Sequence, residues 1–220
     1  DDTEGNKILA MSNLGWILKN PKENLTFADK AYTMASPYMI TDGMNKYGLA
    51  VAIFSAGGSE STIDESKITL QENTVPVLLL NKAKTVDEAI SLLSKYNVSL
   101  VGESQYQYMV CDASGNSAVI EFVDGKMQVI YKDGDYQICS NFILYNNPSL
   151  SGFGSDRYEN YDAVLSKTKG IISTEDALKL LQKNTIPGDE QWSVVYNLTD
   201  KTLSATFYGD YDKVHEYSFK

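Results

Sequence analysis

An α+β fold, with mostly antiparallel strands stacked between helical layers, is predicted by three features of the chain. Many short segments alternate apolar and polar residues with period 2, or concentrate β-branched and aromatic residues. Residues suited to tight hairpins separate several of them. Capped amphipathic stretches cluster between groups of strands, not singly after each strand as a parallel sheet would require.

The strand signals run over Lys7–Leu14, Gly48–Ser55, Tyr106–Cys111, Ser117–Val123, Met127–Tyr131 and Tyr136–Ser140. They resume over Trp192–Leu198, Leu203–Tyr208 and Val214–Phe219. Asp112 to Asn116, Asp124-Gly125 and Asp133-Gly134 supply the turn chemistry between neighbours. Thr85-Val86-Asp87-Glu88 has the spacing of a capping box, with Ala89, Ile90, Leu92 and Leu93 following as an apolar stripe. Ser173 opens a similar pattern with Ala177, Leu178, Leu180 and Leu181. Helices are therefore expected over Thr74–Ala83, Val86–Tyr96, Asp156–Ser166 and Thr174–Lys183. A structure with one sheet, or with a parallel doubly wound sheet, would contradict this reading.

With 220 residues, 43% hydrophobic and 22% charged, residues 1–220 read as one globular domain that needs no disulfide or metal to build its core. No repeat or low-complexity tract divides the chain. The net charge of −10 would repel a phosphate backbone, and no lysine-rich stripe offsets it, so no nucleic-acid partner is expected. Apolar runs such as Val75–Leu80 are too short to cross a bilayer, so no membrane partner is expected either. No targeting segment is visible at the start, which leaves a cytoplasmic and an exported location both open.

The chemistry-bearing residues are few. His215 is the only histidine and lies in a tyrosine-rich strand, which leaves a Ser-His-Asp triad resting on one terminal residue. Zinc sites of His and Cys lack ligands, so no metal is expected, and no cofactor motif appears. Cys111 and Cys139 lie in apolar runs, where a free thiol behaves as a small buried hydrophobe. Arg157 is the only arginine among 19 Lys and Arg residues. Where lysine serves for every bare charge, a lone arginine marks either a chance surface position or a place that needs a planar, permanently charged fork.

Several segments, in order, resemble the choloylglycine hydrolase and penicillin V acylase family of N-terminal-nucleophile hydrolases. Asp42-Gly43-Met44-Asn45-Lys46-Tyr47-Gly48-Leu49 is similar to the family's "DGMNEKGL" segment. Asp112 to Glu121 resembles its "DxxGxSxVxE" hairpin, Ser140-Asn141 its "TN" step, and Ser155-Asp156-Arg157-Tyr158 its "SxRF/Y" helix start. Trp192 to Asn197 matches the strand before its C-terminal hairpin. The resemblance implies a four-layer αββα sandwich and hydrolysis of linear amide C–N bonds in a small-molecule substrate. It implies an N-terminal Cys as nucleophile, whose α-amine shuttles the proton. Asn141 then takes the oxyanion position and Arg157 the active-site arginine position. Ser55 falls where bile salt hydrolases carry a further Asn, so its backbone N–H is a candidate substrate-binding group. A homo-oligomer is compatible with the resemblance.

The departures carry as much weight. Asn13 and Trp16 fit the family's opening, but Ser12 stands for an Arg and Gly15 for an Asp that flank the nucleophile. The Cys itself belongs a few residues before Asp1, so the 220-residue chain is expected to be inactive. The alternative is a catalytically degenerate protein with a binding or scaffold role. The site is expected in a cleft near the start of the Lys7–Leu14 strand, opening toward Asp1. There Arg157, deprived of its Asp, needs a substitute carboxylate, water or partial exposure.

Overall fold

The computed structural model describes residues 7–16, 18, 24–58, 61–99, 105–186 and 192–219. In chain order the elements are β1 (Ile8–Ser12), α1 (Phe27–Tyr32), β2 (Ile40–Asn45), β3 (Ala50–Ser55), β4 (Thr69–Gln71), α2 (Val75–Lys82), α3 (Val86–Leu93) and β5 (Asn97–Ser99). There follow β6 (Tyr106–Cys111), β7 (Ser117–Val123), β8 (Lys126–Tyr131), α4 (Ser155–Thr168), α5 (Thr174–Lys183), β9 (Trp192–Asn197), β10 (Thr202–Phe207) and β11 (Asp210–Ser218). Six strands form an antiparallel sheet in the order β1-β2-β3-β6-β7-β8, and three form a second in the order β11-β10-β9. The chain is α+β with two antiparallel sheets, as expected.

One face of the large sheet is the dry core. Leu79 and Leu80 of α2, Ala83 just after it, and Val86, Ala89 and Leu93 of α3 pack on Val51, Tyr108, Val110, Ala118 and Ile120. Each large side chain so buried contributes about 1.5–3 kcal/mol relative to exposure. Gly43 lets α2 come this close, because a Cβ there would press on Ala10, Leu9 O and Leu80. Asn45 ties the layers together. Its Nδ2 donates to Leu80 O at 3.0 Å and Ala83 O at 2.8 Å, closing the carbonyl end of α2. Its Oδ1 accepts from Tyr47 N and Leu49 N, bracing the β2–β3 turn.

The small sheet stacks on the other face and α5 packs on its strand β9, in the four-layer αββα sandwich. Asp42 of β2 joins the two sheets, accepting from Trp192 Nε1 at 2.8 Å and from Tyr196 Oη at 2.5 Å, both on β9. Residues of α4, α5 and β9 come together with β3 and β6 at one place. A cavity of about 380 Å³ remains there, walled by Ala52, Met109, Cys111, Tyr161, Leu180 and Val194 among others.

The structure departs from the sequence expectations at named places. Tyr136–Ser140, expected as a strand, joins no ladder. The helix expected over Val86–Tyr96 stops at Leu93, and Asn97 begins a short strand paired in parallel with β4. The strand β2 and the helix α1 appear where no element was expected.

Candidate active site

The antiparallel register decides which ends meet. Ser12 pairs with Ile40, and Asp42 pairs with Ala52, so Ser55 lies at the end where β1 finishes and β2 begins. Tyr106 sits opposite Ser55 at the same end. These ends meet at the finish of β1, not at its start near Lys7 where the site was expected, because alternate strands of an antiparallel sheet end together. Asp1 lies outside the described residues, so the direction toward it has no structural description.

Asn141, Arg157 and Ser55 come together here. Asn141 Nδ2 donates to Ser55 O at 2.9 Å, and Arg157 Nη2 donates to Asn141 Oδ1 at 2.7 Å. The segment carrying Asn141 runs alongside the continuation of β3, with Phe142 bridged to Gly57. Arg157 stands in the first turn of α4, and Ser140 Oγ donates to Gly154 O at 2.9 Å, fastening the two segments to each other. The group of Ser55 seen to be engaged by Asn141 is its carbonyl, not the N–H expected to serve substrate.

Arg157 is half-buried at the positive end of a helix, an unfavourable place for a cation. Among the described residues no carboxylate forms an ion pair with it; the ion pairs found all involve Lys179. Compensation comes from the Asn141 oxygen, from the Phe153 ring with its centroid 5.1 Å away, and from partial exposure. Gly154, at φ 84°, opens room for the fork, since a Cβ there would run into Arg157 Nη2 and Ser140 Oγ.

The region after β1 has other tasks. Ser12 Oγ donates to Ser36 O at 2.7 Å, and Gly15 N donates to Asn13 Oδ1 at 2.9 Å in a local turn. Both thiols are free, and neither is a ready nucleophile. Burial pushes Cys111 up to about 11, and burial raises Cys139 well above its ordinary value. His215 lies on β11 against the Phe207 ring. Among the described residues no cluster of His, Cys, Asp or Glu could hold a metal, and no helix is long and apolar enough to cross a membrane.

Sequence reasoning missed two polar groups on the inner face of the large sheet, Asp42 and Gln107. The segment Asp42–Leu49 does not by itself assign Asp42 a role. Burial raises its carboxyl above the ordinary range, against hydrogen bonds from Tyr196 and Trp192 that lower it. Gln107 was not singled out; its signal is a polar residue on the Met109 and Cys111 side of an otherwise apolar strand.

Residues 10–219 match the family model of acyl-coenzyme A:6-aminopenicillanic acid acyl-transferase. The chain belongs to that family. A penicillin V acylase from Pectobacterium atrosepticum is 33% identical over 114 residues, which cover 46% of this chain and 30% of the relative. Among solved structures, a variant of conjugated bile acid hydrolase from Clostridium perfringens superposes with a TM-score of 0.61 at 15% identity, covering 81% of this chain and 72% of that one. Penicillin V acylase from Agrobacterium tumefaciens gives a TM-score of 0.61 at 20% identity, covering 79% and 64%. These relatives agree with the resemblance to choloylglycine hydrolases and penicillin V acylases, and at such identities the superpositions speak for the fold of this acyl-transferase family member.

Proposed function

We propose that the native gene product hydrolyses linear amide C–N bonds of a small molecule, using a nucleophilic Cys on a strand that precedes Asp1. One observation carries this reading: the hydrogen-bonded run from Ser55 O through Asn141 to Arg157 at the finish of β1. Arg157, gripping Oδ1, fixes which way the Asn141 amide faces, so Nδ2 turns away from the guanidinium. One Nδ2 hydrogen goes to Ser55 O, and the other meets no acceptor among the described residues. A carbonyl oxygen becoming an oxyanion about 3 Å from that hydrogen would complete the amide's bonding only as charge develops. The attacking thiolate forms the acyl-enzyme, and the α-amine, titrating near pH 8, takes the thiol proton and returns it to the leaving amine.

The test uses the full gene product with penicillin V and a glycine-conjugated bile salt, following amine release. Turnover abolished by iodoacetamide is expected, and Asn141→Ala should lower kcat by roughly 10²–10³-fold with a smaller change in KM. The 220-residue chain alone should release nothing. A second reading, a non-catalytic binding protein, is favoured by Ser12 and Gly15, which supply neither of the charged side chains that flank the nucleophile in the resembled family. Full-length protein that gives no acyl-enzyme yet is stabilised by these ligands would select that reading.

A further inference from the structure

Gln107 and Glu121 are fully buried polar side chains, neither of them part of the hydrogen-bonded run at the site. They are neighbours on the inner face of the large sheet, since the pairing of Tyr108 with Ile120, carried one step further, sets Gln107 opposite Glu121. Both reach the segment that carries Asn141. Gln107 Nε2 donates to Ser140 O at 2.5 Å and to Phe142 O at 3.2 Å, the two carbonyls on either side of Asn141. The two Glu121 carboxylate oxygens accept from Leu144 N at 2.7 Å and Tyr145 N at 2.9 Å.

We propose that Gln107, with Glu121 holding the same segment further on, is a positioning residue that sets the height and rotation of Asn141 in front of Ser55. Besides the Gly57–Phe142 bridge, the segment is held mainly by side chains, so its geometry depends strongly on these bonds. Two carbonyls gripped on either side of one residue leave its peptide little freedom to turn about the segment axis. Gln107 also bears a cost. Its Oε1 is buried with no partner among the described residues, which a purely structural position gives no reason to retain. The amide cannot be reversed to relieve this, because its oxygen would then face two carbonyl oxygens. The catalytic part of this inference rests on the proposed amidase reading; the geometric part does not.

The experiment therefore has two arms. In the first, side-chain amide signals of Asn141 are followed by ¹⁵N NMR in the 220-residue chain, with Asn97→Ala as control. Asn97 is a buried amide that holds the Asp64 and Lys67 carbonyls elsewhere in the fold. Gln107→Met, close in size but without donors, should shift or broaden the Asn141 signals, while Asn97→Ala leaves them in place. Gln107→Glu should move them with pH, back toward wild type as pH falls, since only the protonated carboxyl can donate. Glu121→Gln, which sets an NH₂ against a backbone N–H, should give a smaller shift of the same kind. In the second arm, Gln107→Glu in the full gene product should lower kcat at neutral pH with partial recovery in acid, and with little change in KM. Unmoved Asn141 signals in folded Gln107→Met, or in Gln107→Glu across the pH range if the Met variant does not fold, overturn the proposal. A full-length wild type without turnover defeats the amidase reading and leaves the first arm standing.

Discussion

The two faces of the six-stranded sheet are built on different principles. The face under α2 and α3 is hydrocarbon, with Asn45 as a buried polar exception that has a partner for each end of its amide. The face toward the small sheet carries Asp42, Gln107 and Glu121, each reaching across to another segment. Apolar contact is non-directional and tolerates small shifts, whereas a buried hydrogen bond fixes a distance and an angle. The helix side therefore holds the fold together, and the inner side holds particular residues in place.

The largest expected effect tests the first half of that division. Leu79 is fully buried in the helix-side core. Leu79→Ala should cost about 2–5 kcal/mol in urea unfolding, from lost burial and the cavity left behind. The Asn141 side-chain signals should stay where they are while the protein remains folded. A loss below about 1 kcal/mol, or a shifted site, would break the comparison from the fold side.

Gly154→Ala tests the other half. A side chain at φ 84° costs roughly 1–2 kcal/mol, and its Cβ would contact Arg157 Nη2 and Ser140 Oγ. Stability should fall less than in Leu79→Ala, yet the Asn141 signals should move, because the guanidinium must leave its place. An unmoved site would mean that the backbone at Gly154 yields instead of the fork and that Gly154 serves only the turn.

Much of this arrangement was legible in the sequence where the physics is local. Thr85 and Ser173 announce α3 and α5, and each hydroxyl does accept the expected backbone N–H. The strand β2 was not legible as a strand, because Gly43 and Asp42 have poor β propensity. Their reasons lie elsewhere: Gly43 admits α2, and Asp42 answers Trp192, 150 residues away. The helix α1 buries no residue and so shows no amphipathic stripe; only its capping box, Thr26 with Asp29, marks it. Tyr136–Ser140 has the composition of a strand, but side chains take the place of a neighbouring strand. Asn141 and Arg157 were found through resemblance, and their mutual hydrogen bond follows from the fold. Gln107 was invisible because its partners lie 33 and 35 residues away, a relation that no local pattern encodes.

The smallest effect concerns Asp42 and pH. Burial raises its carboxyl above the ordinary value, the hydrogen bonds from Tyr196 and Trp192 only partly opposing. An acid whose pKa is higher in the folded than in the unfolded chain contributes its stability in full below the unfolded value, near 3.9. That contribution is lost as pH rises through the folded value, at about 1.4 kcal/mol for each pKa unit of difference. Asp42→Asn removes the titration. The stability of wild type minus that of the variant, from urea midpoints across pH, should therefore be highest in acid. It should decline above pH 3.9 and level off once the folded value is passed. Glu121, which burial also raises, is present in both proteins and cancels in the difference. A difference that grows with pH would mean that the indole and phenol donors outweigh burial. Asp42 would then be an ionised clasp between the sheets, and the inner face would hold its residues by charge as well as by direction.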